Sequence, residues 1–169
     1  ARLLADMGVE RLQGFHFARP MGIDDLGAFL ERALRAGHPW LFEGAIRKQS
    51  RDGAPGDLAV IFDGNRDFLA IGLYDPASPI RVKVLQHRQQ AQINAAFFTA
   101  RVQAAIAHRA PLDTPATNAY RLIHGENDGL PGLVLDRYAD ILVLKLYTSA
   151  WLPHLQGIIQ ALHTAQPHT

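Results

Sequence analysis

The chain has 169 residues and a net charge of +1; 48% of its residues are hydrophobic and 20% are charged, which indicates one globular domain or two small ones and excludes a disordered chain. The absence of cysteine excludes a disulfide scaffold, a cysteine-based zinc site and a cysteine nucleophile within this sequence. No stretch reaches the roughly 20 apolar residues of a membrane helix and no signal peptide is present, so we expect a cytoplasmic chain without a membrane partner.

The first 36 residues have the pattern of two helices around a loop. Pro20 and Gly22 end the first helical element, and Asp24 or Asp25 is placed to cap the second. The second helix carries its apolar residues on one face, and Gly37 closes it. Those apolar residues are Leu26, Phe29, Leu30 and Leu34.

Residues 39–85 change to the two-residue period of β-strands. Two β-rich runs, 58–62 and 68–74, flank the sequence Asp-Gly-Asn-Arg, which predicts a hairpin. The next run alternates apolar residues with Arg81 and Lys83, which predicts a half-buried strand with its charges on the open face. Several short strands so close together predict a small barrel.

The second half of the chain predicts another lobe. Residues 86–93 are polar and rich in glutamine, as expected for a joint. Asn94 is placed to cap a helix that buries Phe98 and Val102. Three strands at 119–123, 133–138 and 141–147 and a closing helix that starts near Pro153 follow. The predicted fold class is α+β, a small β-barrel or sandwich followed by a second small α+β lobe with antiparallel hairpins.

Basic side chains are the most informative feature. Between Asp75 and Asp113 there is no acidic residue, and a cationic face of this kind either follows the phosphates of a nucleic acid or is solvated surface. A second basic group surrounds Trp40 and Phe42, two rings that we interpret as core residues. The candidate RNA-binding residues are Arg32, Arg35, His38, Arg47, Lys48, Arg81, Lys83 and Arg88.

No catalytic or metal motif stands out. The loop 125–132 contains Glu126 and Asp128, and a tight connection between strands is favoured there over a cation site, for which two carboxylates are few. The eight histidines have no metal-ligand spacing on a helix, and no glycine-rich nucleotide-binding turn is present. We therefore predict no catalytic, cofactor-binding or metal-binding residue in this chain.

Three sequence blocks resemble one family. They are HPWLFEGAI at 38–46, GLYDPASPIRVKVL at 72–85 and NAYRLIHGENDGLPGLVLDRY at 118–138. In this order they are similar to the PUA domain and the central domain of RlmI-type methyltransferases, which use S-adenosylmethionine to methylate carbon 5 of a cytosine in large-subunit ribosomal RNA. The resemblance implies a PUA-like RNA-binding domain at 31–86 and a central domain at 87–169.

The resemblance also implies what this chain does not carry. The family's catalytic domain follows the central domain, and its cysteine nucleophile lies there. Carbon 5 of cytosine becomes nucleophilic after a thiolate adds to carbon 6, and this chain has no thiol. The chain alone is expected to be inactive and to bind ribosomal RNA for a catalytic domain that binds S-adenosylmethionine. A homodimer is compatible with the sequence.

Two other interpretations stay open at this stage. Residues 1–30, predicted to be a helical segment, resemble the C-terminal end of EAL-type cyclic-di-GMP phosphodiesterase domains, so the chain is alternatively a piece of such a fusion. It is also compatible with a stand-alone PUA-type RNA-binding or regulatory module without catalysis. The first residue, Ala1, indicates a processed product or a piece of a longer protein.

Overall fold

The computed structural model describes residues 23–165, which form two adjoining α+β lobes. The helices are α1 (Ile23–Arg35), α2 (Ala95–Arg109) and α3 (Leu155–Ala165). The strands are β1 (Trp40–Leu41), β2 (Leu58–Phe62), β3 (Phe68–Tyr74), β4 (Val82–His87), β5 (Ala119–His124), β6 (Leu133–Tyr138) and β7 (Ile141–Leu146). The predicted α+β class is confirmed, and within residues 23–165 the predicted strands and helices lie within a few residues of their observed bounds. The first helical element predicted in residues 1–36 lies outside the described residues.

The first lobe is an antiparallel sheet in the order β1-β4-β3-β2, which is open within residues 23–165. The predicted β2–β3 hairpin is confirmed. Its turn is closed by the Asp63 carboxylate, which accepts hydrogen bonds from the backbone N–H groups of Asn65 and Asp67, both at 2.8 Å. Helix α1 packs on this sheet, and Leu34 is buried with Leu69 and Val84 in a small core. The turn residues and the two-residue period of the strands, which are close together in the sequence, therefore determine the hairpin of this lobe.

The second lobe places α2 and α3 against the sheet β5-β6-β7. Asn94 caps α2 as predicted, since its side chain accepts a hydrogen bond from the Phe97 N–H at 3.1 Å. Thr148 caps a 3-10 turn at residues 149–154, which holds Pro153 and leads into α3. Trp151 is fully buried in this core, and its indole N–H donates to the Pro131 carbonyl at 2.8 Å.

The two lobes share a hydrophobic core. Leu73 of β3 and Leu85 of β4 are buried in the same cluster as Trp151 and Ile158 of the second lobe. Burying such side chains stabilises the docked arrangement by about 1.5–3 kcal/mol for each large one. The first residues of the polar joint predicted at 86–93 belong to β4, which ends at His87. Because the lobes share a core, they are packed together and not merely linked by this segment.

A buried polar group fastens the junction between the lobes. Asp75, directly after β3, accepts a hydrogen bond from the Thr148 hydroxyl at 2.6 Å and one from the Lys83 ammonium at 3.0 Å. The side chains of Lys83 and Asp75 are only 8% and 6% exposed. The prediction that Lys83 lies on an open strand face is therefore wrong: its charge points into the junction because a buried carboxylate is present to neutralise it.

This arrangement holds Asp75 ionised. Burial raises the pKa of its carboxyl group, but the hydrogen bonds from Thr148 and Lys83 and the charge of Lys83 outweigh burial and keep the pKa below its ordinary value of 3.8. A carboxyl group whose pKa is lower in the folded state contributes stability above its unfolded pKa. That contribution disappears as the pH falls through the folded pKa.

Replacing Asp75 by asparagine is expected to destabilise the chain by about 3–5 kcal/mol, because the Lys83 charge is left buried without its partner. The measurement is urea unfolding at pH 7. Asp136→Asn is the matched control, since it breaks the exposed Arg121–Asp136 pair and should cost about 1 kcal/mol or less. Equal effects of the two substitutions would contradict a structural role for the buried pair.

The same variant should reveal the titration of Asp75. We expect the difference in unfolding free energy between wild type and Asp75→Asn to be largest near neutral pH and to shrink below about pH 4. The reason is that protonated aspartic acid, like asparagine, no longer neutralises Lys83. Unfolding titrations from pH 7 to pH 2.5 measure this difference, and a constant difference over that range would show that Asp75 is not the titrating group.

Candidate functional site

An open cleft of about 380 Å³ lies on the first lobe. Three of the predicted RNA-binding side chains, Arg47, Lys48 and Arg81, line it, together with one carboxylate, Glu43. The remaining lining residues are Ile46, Gln49 and Tyr74. The cleft thus combines a cationic wall with hydrogen-bonding groups on a largely polar surface, which suits a phosphate-bearing ligand.

Local structure brings these side chains together. Strand β1 ends at Leu41, and a 3-10 turn at Glu43–Ala45 directs the following basic residues to the ends of β3 and β4. The Glu43 N–H donates to the Pro79 carbonyl at 3.0 Å, which fixes this turn beside the loop that precedes Arg81. On the other wall the Gln49 amide donates to the Tyr74 hydroxyl at 3.2 Å. Three separate chain segments, 43–49, the end of β3 and the residue before β4, therefore contribute to one surface.

The cations of the cleft are held in different ways. Arg81 is paired with Glu43 and also donates to the Pro76 carbonyl, so its guanidinium is fixed at the cleft wall. The Arg47 guanidinium lies against α1, where a Cβ atom at Gly27 would lie 2.7 Å from its Nη2. Lys48 is exposed. Glu43 is the one lining carboxylate, and its side chain is 68% exposed whereas that of Arg81 is only 11% exposed, so a phosphate that binds Arg81 has to displace Glu43.

The other predicted RNA-binding residues lie outside the cleft. Arg35 pairs with Glu31 and Asp63, and Arg88 donates two hydrogen bonds, at 2.8 and 3.0 Å, to the Arg35 carbonyl at the end of α1. Arg32 is exposed in the last turn of the same helix. Lys83 is buried. Arg32, Arg35, Arg88 and His38 lie elsewhere on the first lobe and do not line the cleft with Arg47 and Lys48.

Trp40 and Phe42, the aromatic residues that precede the cleft segment, differ in how far they are buried. Phe42 is 37% exposed, so the interpretation of both rings as core residues is wrong for Phe42. Trp40 is half-buried, packs edge-on against His38 and Phe42, and donates from its indole nitrogen to Glu126 Oε1 at 2.9 Å. Trp40 is thus a contact between the lobes, which accounts for its partial burial.

The acidic loop 125–132 is a connection, as favoured from the sequence. Asp128 accepts a hydrogen bond from the His124 N–H at 2.6 Å and pairs with Arg109 at 2.8 Å, while Glu126 accepts from Trp40. Within residues 23–165 no group of three or more potential ligands could hold a metal ion. Both carboxylates therefore have structural partners.

The long acid-free stretch does not form a continuous cationic face. Arg101 of α2 donates to the Leu85 carbonyl and to the Gln86 side chain, its guanidinium lies 4.9 Å from the centre of the Phe97 ring, and burial lowers its pKa.

Sequence analysis missed Gln49 and Tyr74 as lining residues of the cleft. Tyr74 directly precedes Asp-Pro, a signal that it ends a strand, but nothing in the sequence pairs it with Gln49.

None of the helices in the part of the chain that the structure describes is long and apolar enough to cross a membrane.

Comparison with known proteins places the cleft in a recognised domain. Residues 26–87 match the family model of a PUA-like domain, and this range contains every lining residue of the cleft. The chain is 49% identical over 142 residues to a ribosomal RNA large subunit methyltransferase of Deinococcus radiodurans. It is 39% identical over 138 residues to ribosomal RNA large subunit methyltransferase I of Escherichia coli strain SMS-3-5. Each match covers 81% of this chain and 35% of the relative, so the chain spans about a third of the length of these proteins.

Solved structures share the fold at lower identity. A chain described as a SAM-dependent methyltransferase from Streptococcus mutans has a TM-score of 0.72 and 20% identity over 83% of this chain and 36% of that one. Another, described as a methyltransferase complexed with SAH, has a TM-score of 0.73. The described residues do not fit that cofactor: both of their sheets are antiparallel, and the parallel sheet edge at which such nucleotides bind is absent from residues 23–165.

The resemblance of residues 1–30 to an EAL-type domain remains a prediction from sequence. Residues 1–22 lie outside the described residues, and residues 23–30 belong to α1 of the first lobe.

Removing the carboxylate from the cleft is expected to strengthen the binding of phosphate polymers. Glu43→Gln frees Arg81 from its ion pair, so the variant should elute from phosphocellulose at a higher salt concentration than wild type. Asp67→Asn is the control because Asp67 is an exposed acid in the β2–β3 turn, outside the cleft. A shift no larger than that of Asp67→Asn would show that Glu43 does not compete for Arg81.

Proposed function

The chain carries a PUA-like domain and is homologous to the N-terminal part of ribosomal RNA large subunit methyltransferases, and from this premise we propose that it is the RNA-recognition portion of such an enzyme. It binds structured ribosomal RNA and presents it to a catalytic domain that binds S-adenosylmethionine. The proposal places the chain in the cytoplasm together with its RNA.

One observation carries the proposal: Arg47, Lys48 and Arg81 converge in a cleft of the PUA-like domain, although they lie up to 34 positions apart in the sequence. Guanidinium and ammonium groups bind phosphate oxygens through charge-assisted hydrogen bonds. Because such contacts go to the backbone of the nucleic acid, they fix its position without reading its sequence. The cleft therefore acts as a grip for folded RNA.

Hydrogen-bonding groups beside the cations extend this grip. The Tyr74 hydroxyl and the Gln49 amide face the same cleft and can bond to ribose hydroxyls, which distinguish RNA from DNA. The fixed guanidinium of Arg81 is pre-organised by the Pro76 carbonyl, so little side-chain freedom is lost when a phosphate binds. Methyl transfer itself requires the catalytic domain, because this chain has no thiol to activate a cytosine.

The Arg47→Gln/Lys48→Gln double variant is expected to bind RNA roughly tenfold more weakly, because two exposed phosphate contacts are lost. The slope of the logarithm of affinity against the logarithm of salt concentration should fall by about 2, or about 1 for each cation removed. Fluorescence anisotropy of the 169-residue chain with transcribed segments of large-subunit ribosomal RNA, at several salt concentrations, measures both quantities.

Arg66→Gln is the matched control, since Arg66 is an exposed cation in the β2–β3 turn outside the cleft. We expect it to change affinity by about twofold or less. An unchanged affinity and salt slope in the double variant, or an equal loss in Arg66→Gln, would refute the cleft as the RNA grip.

A further inference from the structure

We propose that the outer face of the sheet β5-β6-β7 is a second RNA contact, one that stacks unpaired nucleotides on Tyr138 and Tyr147. This inference rests on the proposed function and adds a site on the second lobe, which no predicted RNA-binding residue occupies. It commits this surface to a single-stranded segment of the RNA that the cleft holds by its phosphates.

The sheet presents an ordered outer face. Along β7 and just beyond it, alternate residues point outward, and Tyr147 is 62% exposed. Tyr138, 52% exposed, lies opposite Ile141 at the other end of the sheet. Tyr147 lies six positions after Ile141, so the two exposed rings stand about 20 Å apart along the strand direction.

Basic and titratable side chains fill the space between the rings. The strand register places Arg121, Asp136 and Val143 in one row and His124, Val134 and Lys145 in the next, so the apolar Val143, 46% exposed, lies among the charged residues. A register shift between Arg121 and Ile123 brings His124 onto the same face as Arg121, although the two are three residues apart. The middle of the face is therefore charged, and its two ends are aromatic.

This composition favours RNA over a protein partner. The centre of a protein–protein interface is depleted of charged residues, whereas here Arg121 and Lys145 occupy the centre. Rings flanked by cations are what single-stranded RNA requires, because bases stack on aromatic side chains while phosphates bind cations. The Lys145 ammonium lies over one face of the Tyr147 ring, 4.6 Å from its centre, so a base that stacks on this ring displaces the cation or uses the other face.

A shallow cleft at one end of the face matches a nucleotide in size. Its volume is about 410 Å³, and its lining includes Arg121, His124 and Tyr138. Arg121 is held by Asp136 through two hydrogen bonds, at 2.8 and 3.2 Å, which leaves its position defined beside the Tyr138 ring. A base stacked on Tyr138 would lie near the N–H donors of the Arg121 guanidinium.

The face is continuous with the first lobe. A Cβ atom at Gly132 would lie 3.9 Å from the Tyr147 Cβ and 4.0 Å from the Lys83 Cδ, so Tyr147 stands at the junction between the lobes. Lys83 is two residues from Arg81, which lines the cleft of the first lobe. An RNA strand that leaves the cleft at Arg81 therefore meets Tyr147 first and then runs along the sheet toward Tyr138.

The test measures anisotropy of a labelled single-stranded oligonucleotide of about 12 nucleotides, and of the ribosomal RNA segments, with the 169-residue chain. Tyr138→Ala and Tyr147→Ala are each expected to weaken binding at least about fivefold, the lower limit for one stacked base. Tyr→Phe at either position should restore binding because it keeps the ring. Both rings are exposed, so unchanged melting temperatures verify folding.

Controls separate the possible occupants and the two proposals. Val60→Ser, at an exposed position of β2 that lines neither cleft, should leave RNA affinity unchanged. If Ile141→Ser, Val143→Ser and the tyrosine variants instead abolish self-association in sedimentation velocity without weakening RNA binding, the face is a protein contact and the proposal is overturned. Loss of affinity in Arg47→Gln/Lys48→Gln alone would refute the tyrosine face but keep the proposed function. If neither set weakens binding, the proposed function fails as well.

Discussion

The docking of the two lobes depends on one buried carboxylate. Asp75 neutralises Lys83 from the same sheet and receives the hydroxyl of Thr148 from the other lobe, so a single side chain satisfies groups from three chain segments. Because an unpaired charge is expensive in a buried junction, this arrangement allows essentially one relative placement of the lobes. The cleft beside Arg81 and the sheet face beside Tyr147 lie on either side of that junction, and their mutual position follows from it.

Whether each basic residue is buried or exposed depends on the groups that the fold brings next to it. Lys83 and Arg81 are two residues apart, yet one is buried against a carboxylate of the junction and the other lines an open cleft. Arg101 is turned inward by carbonyl and amide oxygens, whereas Lys48 stays exposed. A whole-chain charge of +1 therefore does not describe the local charge distribution, since the fold gathers Arg47, Lys48 and Arg81 around one cleft.

Sequence reasoning succeeded where a structure is local. The β2–β3 hairpin and the capping of α2 by Asn94 follow from residues only a few positions apart. It failed for Lys83, because its partner Asp75, 8 positions away, is buried at the junction where it meets Thr148, 73 positions from Asp75. It did not find the contact of Trp40 with Glu126, 86 positions away. Three of the cations that line the cleft were among the predicted RNA-binding residues. Tyr74 and Gln49 could not be assigned to it from the sequence, because tertiary structure brings them together there.

The two tryptophans of the chain occupy environments that make them separate optical probes. Trp151 is fully enclosed by the core of the second lobe, while the half-buried Trp40 bonds across the junction to Glu126. Separation of the lobes exposes the Trp40 indole to water and shifts its emission to longer wavelength; it also removes Leu73 and Leu85 from the cluster around Trp151, which keeps its contact with the Phe98 ring of its own lobe. Undocking should therefore give a partial shift of the emission, and unfolding a further one, without any label.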